Sequence, residues 1–222
     1  MPIKTTRHEI ETHLRRISIP IYEGVAAGVE MADRVMRIVP HPDNYAFFRS
    51  SATRIGAREH WIDQGLGPGW GVAGNPALQA QTLLVNPEAG IEMRFLRERR
   101  RSYPGGVPVA GHNAARREAW SQSALPFSLA SEPSAQDSID EITLLLLWDM
   151  TADRDIQVRV VHPLEPGIYG RAVPVDMEFE VQPGGTLFSH LSYEGDDQNE
   201  NLFAHIDRAD NEGDGMSGLI GI

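Results

Sequence analysis

The chain has 222 residues, 41% hydrophobic and 23% charged, with a formal net charge of −11, a balance that suits one core-forming domain with a helical appendage. It contains no cysteine, which excludes disulfides, thiolate metal sites, iron–sulfur clusters and cysteine nucleophiles. Lys4 is the only lysine against 19 arginines, so a Schiff base or a phosphate-loop lysine would have to come from the first few residues.

No run approaches the roughly 20 apolar residues of a membrane-spanning helix. The opening residues lack the apolar core of a secretory signal, so a cytoplasmic location is expected. Charge is spread unevenly: residues 1–131 carry 16 basic and 12 acidic side chains, residues 132–222 only 4 basic and 19 acidic. Such asymmetry suggests a basic contact surface, an acidic tail or both; the plain alternative is acid that keeps the surface soluble.

In chain order, Thr5 or Thr6 caps a first helix through about Ile17, with Glu9 and Glu11 near its positive end. Pro20 is expected to interrupt it. From Ile21, the apolar residues Val25, Val29, Ala32, Val35, Met36 and Val39 recur at spacings of three and four, one stripe of a helix. Pro40-His41-Pro42 ends that stripe, and Asp43 or Asn44 caps another helix carrying Phe47, Phe48, Ile55, Trp61 and Ile62. Gly65–Gly74 is rich in glycine and reads as a connector. A dinucleotide fingerprint would need a strand before such a loop and a helix after it, the reverse of this context.

Strands follow. Thr82–Val85 and Ile91–Arg97 form a hairpin around a five-residue connection. A short helix from about Asn113 to Ser121 and an exposed linker at residues 126–138 precede three more strands, Glu141–Trp148, Ile156–His162 and Val173–Val181. The expected fold class is α+β: a helical N-terminal layer packed on a mostly antiparallel sheet of about five strands, with an acidic flexible C-terminal tail. The corresponding divisions are a helical region at 1–64, a Gly-rich connector at 65–77, a sheet-containing core at 78–193 and the tail at 194–222.

The strongest positive feature is a basic cluster. Arg94, Arg97, Arg99, Arg100 and Arg101 close the hairpin, and Arg116 and Arg117 open the next helix. Guanidinium forks suit phosphates and carboxylates, so these seven arginines are the candidate surface for a protein partner or nucleic acid. An intramolecular clamp onto the acidic part of the chain is the structural alternative.

The remaining candidates are weaker. Asp176, Glu178 and Glu180 alternate on one strand face about 7 Å apart; they could seat a divalent cation, or face solvent with Arg159 as cross-strand partner. His8 and His13 are five residues apart and point about 140° apart on a helix, so they do not make a zinc-protease pair. His41, His60, His112, His162, His190 and His205 have no metal-like spacing, although folding could bring some together. No metal or cofactor site is therefore assigned. The reading reached is a non-enzymatic regulatory or interaction module acting through the arginine-rich surface, with the acidic tail able to gate it. The alternative is a metal-dependent hydrolase or nuclease built from His112, the carboxylate ladder and arginines. A structural component of a phage or mobile element is also compatible.

Overall fold

A computed structural model describes residues 6–98, 100, 102–125, 141–185 and 187–189. The expected acidic tail and the linker at 126–138 lie outside these described residues, as do Arg99 and Arg101.

The first helix, α1 (Arg7–Ile38), starts in a reciprocal cap. The Glu9 amide donates to Thr6 Oγ1 at 3.3 Å, and the Thr6 amide donates to Glu9 Oε2 at 2.6 Å. The helix then runs through Pro20 without a break, contrary to the interruption expected there. Proline removes one backbone donor, leaving the carbonyl four residues earlier, that of exposed Arg16, without its helical partner. Packing offsets this cost, because Ile17 and Ile21 on either side are fully buried and Trp61 Nε1 donates to the Pro20 carbonyl at 2.8 Å.

After α1, His41 adopts a left-handed backbone (φ 51°) ahead of a single 3₁₀ turn at Pro42–Tyr45. The second helix, α2 (Ala46–Gln64), therefore begins later than Asp43 or Asn44 would place it, and no side chain caps its first turn. The two helices touch along small residues. A side chain at Gly24 would overlap the Trp61 indole, one at Gly28 would run into the Thr53 carbonyl oxygen, and one at Gly56 would lie 2.9 Å from the Gly28 Cα. Backbones meet there because nothing larger than hydrogen intervenes.

Both helices pack on one face of a seven-stranded sheet whose spatial order follows the chain: β1 (Gly71–Ala73), β2 (Leu83–Asn86), β3 (Ile91–Arg97), β4 (Ile142–Met150), β5 (Ile156–Pro163), β6 (Val175–Val181) and β7 (Leu187–Ser189). The sheet is thus wider than the five strands expected. Its two three-residue edge strands are too short to show alternation in sequence, and one of them lies inside the Gly-rich connector. It is also mixed, since β3 and β4 run parallel while every other pairing is antiparallel. Ile91, Met93 and Phe95 of β3, with Leu144, Leu146 and Trp148 of β4, join Ile10, Leu14, Val25 and Trp61 of the helices in the main core. The opposite face is covered by the connection between β3 and β4: Val107, Ala110 and Trp120 pack against Leu145, Leu147 and Val161. That connection holds a short helix, α3 (Ala114–Ala119), capped by Asn113.

Among the described residues no helix is long and apolar enough to cross a membrane.

The glycine seam gives a prediction with an unambiguous sign. Gly28→Ala should lower stability by about 2 kcal/mol through overpacking, although helix propensity alone favours alanine by about 1 kcal/mol. A urea melt of the variant at or above the wild-type midpoint would show that the helices have room to separate.

Candidate functional site

The seven sequence-predicted arginines separate into groups with different surroundings. Arg97 and Arg100 are engaged by acids: Arg97 Nε lies 3.7 Å from Asp149 Oδ1 with its guanidinium 5.3 Å from the centre of the Trp148 ring, and Arg100 Nε donates to Glu98 Oε2 at 2.7 Å. Arg117 is exposed and reaches only the Gly111 carbonyl, at 3.5 Å. Arg94 and Arg116 converge.

Alternation along β3 puts Arg94 on the sheet face away from α1, between Glu92 and Leu96. Asn113 fixes the start of α3, its Oδ1 accepting from the Arg116 amide at 2.9 Å, and this turns the Arg116 side chain toward the same face. Both arginines line a trough floored by the end of β3. One compartment, of about 540 Å³, is walled by Leu78, Gln79, Gln81, Asn113, Trp120 and Thr143. The other, of about 950 Å³, continues past Arg94 and Arg116 to Arg54, Phe47 and Tyr103. The β2–β3 register ends at Leu83 opposite Arg94, with one more backbone hydrogen bond from the Phe95 amide to the Thr82 carbonyl at 3.1 Å. The start of α2 (Ala46 and Phe47) also borders it, and that helix has no acidic residue in its first turn.

The electrostatics of the pair are unusual for this protein. Several other arginines find carboxylates, Arg15 with Glu11, Arg34 with Glu30, Arg49 and Arg154 with Asp33, Arg159 with Glu98 and Glu178, while Arg58 donates to the carbonyls of Ala73, Gly74 and Gln81. Among the described residues Arg94 forms no ion pair, and its Nε is buried without a hydrogen-bond partner. Arg116 has a buried Nε in the same condition and reaches only the Ala110 carbonyl, at 3.4 Å. Burial, followed by the like charge of Arg116, pulls the Arg94 pKa below the ordinary guanidinium value; Glu92 opposes this and Arg54 adds to it. The guanidinium nonetheless stays charged at neutral pH. Glu92 itself is pushed upward, first by burial and then by Glu141. Gln79 and Ala80, on the trough's rim, both have left-handed backbones (φ 54° and 55°), a costly conformation for residues with side chains.

Arg54 contributes from α2 and was missed by the reading of the basic cluster. It lies forty positions before Arg94, so no local charge count could include it.

The carboxylate ladder resolves in favour of partners. Arg159 Nη1 lies 2.6 Å from Glu178 Oε1, its Nε pairs with Glu98, and its other terminal nitrogen bonds the Gly105 carbonyl. Asp176 accepts from the Leu125 amide at 2.6 Å, and its other oxygen lies 2.6 Å from His162 Nδ1. An ionised carboxylate only accepts, so Nδ1 carries the proton. His112 is exposed ahead of α3. Among the described residues no three His, Asp or Glu side chains assemble as a metal ion would require, so His112 and the ladder do not form the centre of the hydrolase alternative.

Two predictions follow from these surroundings. Burial alone would raise the Asp176 carboxyl, but the hydrogen bonds from His162 and Leu125 outweigh it and hold the pKa below the ordinary value. A lowered folded-state pKa contributes stability that is complete above an unfolded value of about 3.9 and is lost as pH falls through the folded one. Asp176→Asn should therefore cost about 1–2 kcal/mol at neutral pH, and urea melts should show the gap from wild type closing toward pH 3. Arg94→Gln should raise the unfolding midpoint of the ligand-free protein, more at low salt than at molar salt, because it relieves a repulsion that salt screens. A drop in midpoint at both salt concentrations would contradict that repulsion.

Compared with known proteins, the chain matches no family model, no curated protein and no solved structure.

Proposed function

We propose that this protein is a non-enzymatic binding module whose arginine-lined trough receives an anionic group carried by a partner or ligand. The observation that carries this reading is the half-buried convergence of Arg94 and Arg116 without a carboxylate, where recessed Arg49 and Arg159 are paired with acids and recessed Arg58 with three backbone carbonyls. Keeping two like charges together in a recess costs free energy in the empty protein, and an incoming anion removes that cost. The end of the β2–β3 register at Leu83 opposite Arg94 supports the same reading, since the trough lies beside it. Among the described residues no three His, Asp or Glu side chains are placed to hold a metal ion.

The test compares wild type with the double variant Arg94→Gln/Arg116→Gln against sulfate, citrate, an acidic peptide and single-stranded DNA. Wild type should bind at least one of these. The double variant should bind it at least about tenfold more weakly, the loss of one charge-assisted hydrogen bond being worth that much. Arg117→Gln, outside the trough, should leave binding unchanged. Equal binding by wild type and the double variant would rule out the trough as the site.

A further inference from the structure

We propose that the anion is a phosphate monoester on a small ligand, its dianionic head held between Arg94 and Arg116 and its uncharged body lying against Gln79, Gln81, Asn113 and Thr143. The proposal rests on the anion-binding reading above and narrows it to one chemistry.

The charge left over in the trough is the first argument. Arg94 and Arg116 bring two guanidiniums that no described carboxylate engages directly, and Arg54 lies near enough for Arg94 to feel its charge. Glu92 is the one acid set against them in the smaller compartment. A monocarboxylate or an internal phosphodiester brings a single negative charge and leaves the site under-neutralised. A phosphate monoester carries about −1.5 to −2 charge at pH 7.

Geometry is the second. The two forks come from different elements, β3 and α3, and so approach an entering group from different sides. A terminal phosphate presents three oxygens to such an approach, whereas an internal phosphodiester presents two and must also admit a chain on each side. Each guanidinium can engage a pair of oxygens in parallel.

Size and lining supply the third. The compartment of about 540 Å³ falls in the usual range of small-molecule sites, roughly 300–1,000 Å³. Apart from Glu92, its walls away from the arginines are neutral: the side-chain amides of Gln79, Gln81 and Asn113, the Thr143 hydroxyl, and the apolar Leu78 and Trp120. Such walls can donate and accept hydrogen bonds but cannot balance a second anionic group. They suit the hydroxyls of a sugar or the edge of a base.

Titration calorimetry with a nucleoside 5′-monophosphate and a hexose 6-phosphate tests this directly, with the unphosphorylated nucleoside and hexose as controls. At least one phosphorylated probe should bind at least about tenfold more tightly than its parent. Binding of the nucleotide alone would identify a base as the body, and binding of the hexose phosphate alone a sugar; either supports the proposal. Arg94→Gln and Arg116→Gln should each weaken that binding by about tenfold or more. Unfolding midpoints of both variants establish that they fold, and Arg116, on the short surface helix, provides the test should Arg94→Gln not fold.

A pH series adds a signature that bare electrostatic attraction lacks. Between pH 7 and pH 5 the monoester regains a proton with a pKa near 6, so its affinity should fall about tenfold. Sulfate, a dianion throughout, should show no such fall. Besides five arginines and the Tyr103 phenol, the ionisable groups lining the trough among the described residues are Glu92, Glu98 and Asp149, with no histidine. Protonating any of these carboxylates strengthens anion binding, the opposite sign to the expected change.

Phosphorylated probes that bind no better than their parents, while sulfate, citrate or single-stranded DNA binds through Arg94 and Arg116, would overturn the monoester assignment and leave the anion-binding reading standing. A fall in sulfate affinity matching that of the monoester would likewise overturn it. Absence of binding by every anion would end both.

Discussion

Two parallel strands cannot be joined by a tight turn, and the organisation of this protein depends on that constraint at β3 and β4. The chain leaving β3 has to cross to the far end of the sheet before β4 begins. Its described part runs over the face away from the helices, and it does two things there. It supplies Val107, Ala110 and Trp120 to close a second core over Leu145, Leu147 and Val161. It also delivers α3 to the end of β3, so that Arg116 meets Arg94. Had the two strands been antiparallel and joined by a short hairpin, the second sheet face would be bare and the trough would lack one wall.

Arginine is the only cation this protein uses in quantity, and its surroundings sort it by role. Arg159 ties three segments together through Glu98, Glu178 and the Gly105 carbonyl, with Glu98 almost wholly buried. Removing either partner of such a pair would leave a buried charge uncompensated, which is where its stabilising weight lies. Arg49 and Arg154 converge on Asp33 and link the two helices to the β4–β5 turn. These are structural uses, each with an acid in place. Arg94 and Arg116 differ in that they line one trough together and engage no carboxylate among the described residues.

Local patterns were legible in the sequence wherever a short stretch decides the outcome. The Thr6–Glu9 cap, the alternation of Ile91, Met93 and Phe95, and the apolar run of β4 all rest on neighbours a few residues apart. Arg159 as partner to the β6 acids followed from cross-strand spacing alone. What failed had long-range causes. Pro20 sits inside α1 because Trp61, forty residues away, donates to its carbonyl, and because the flanking isoleucines are buried by the sheet. The parallel pairing of β3 with β4 has no sequence signature within either strand. The basic cluster includes both arginines of the trough, but a charge count treats its members alike. Only the fold shows Asp149 and Glu98 engaging Arg97 and Arg100, and Arg54 arriving from α2 beside Arg94.

The sheet's sequential strand order bears on how the chain reaches its native state. Strands β1 to β3 form one meander and β4 to β7 another, each built from contacts between neighbours in the chain. Within the sheet only the seam between β3 and β4 joins strands far apart in sequence, and the packing of α1 on β5 and β6 adds a second long-range closure. The trough straddles that seam, with Arg94 on one side and Thr143 on the other. It comes into being only when the two halves dock, so the trough is among the last features of the fold to form.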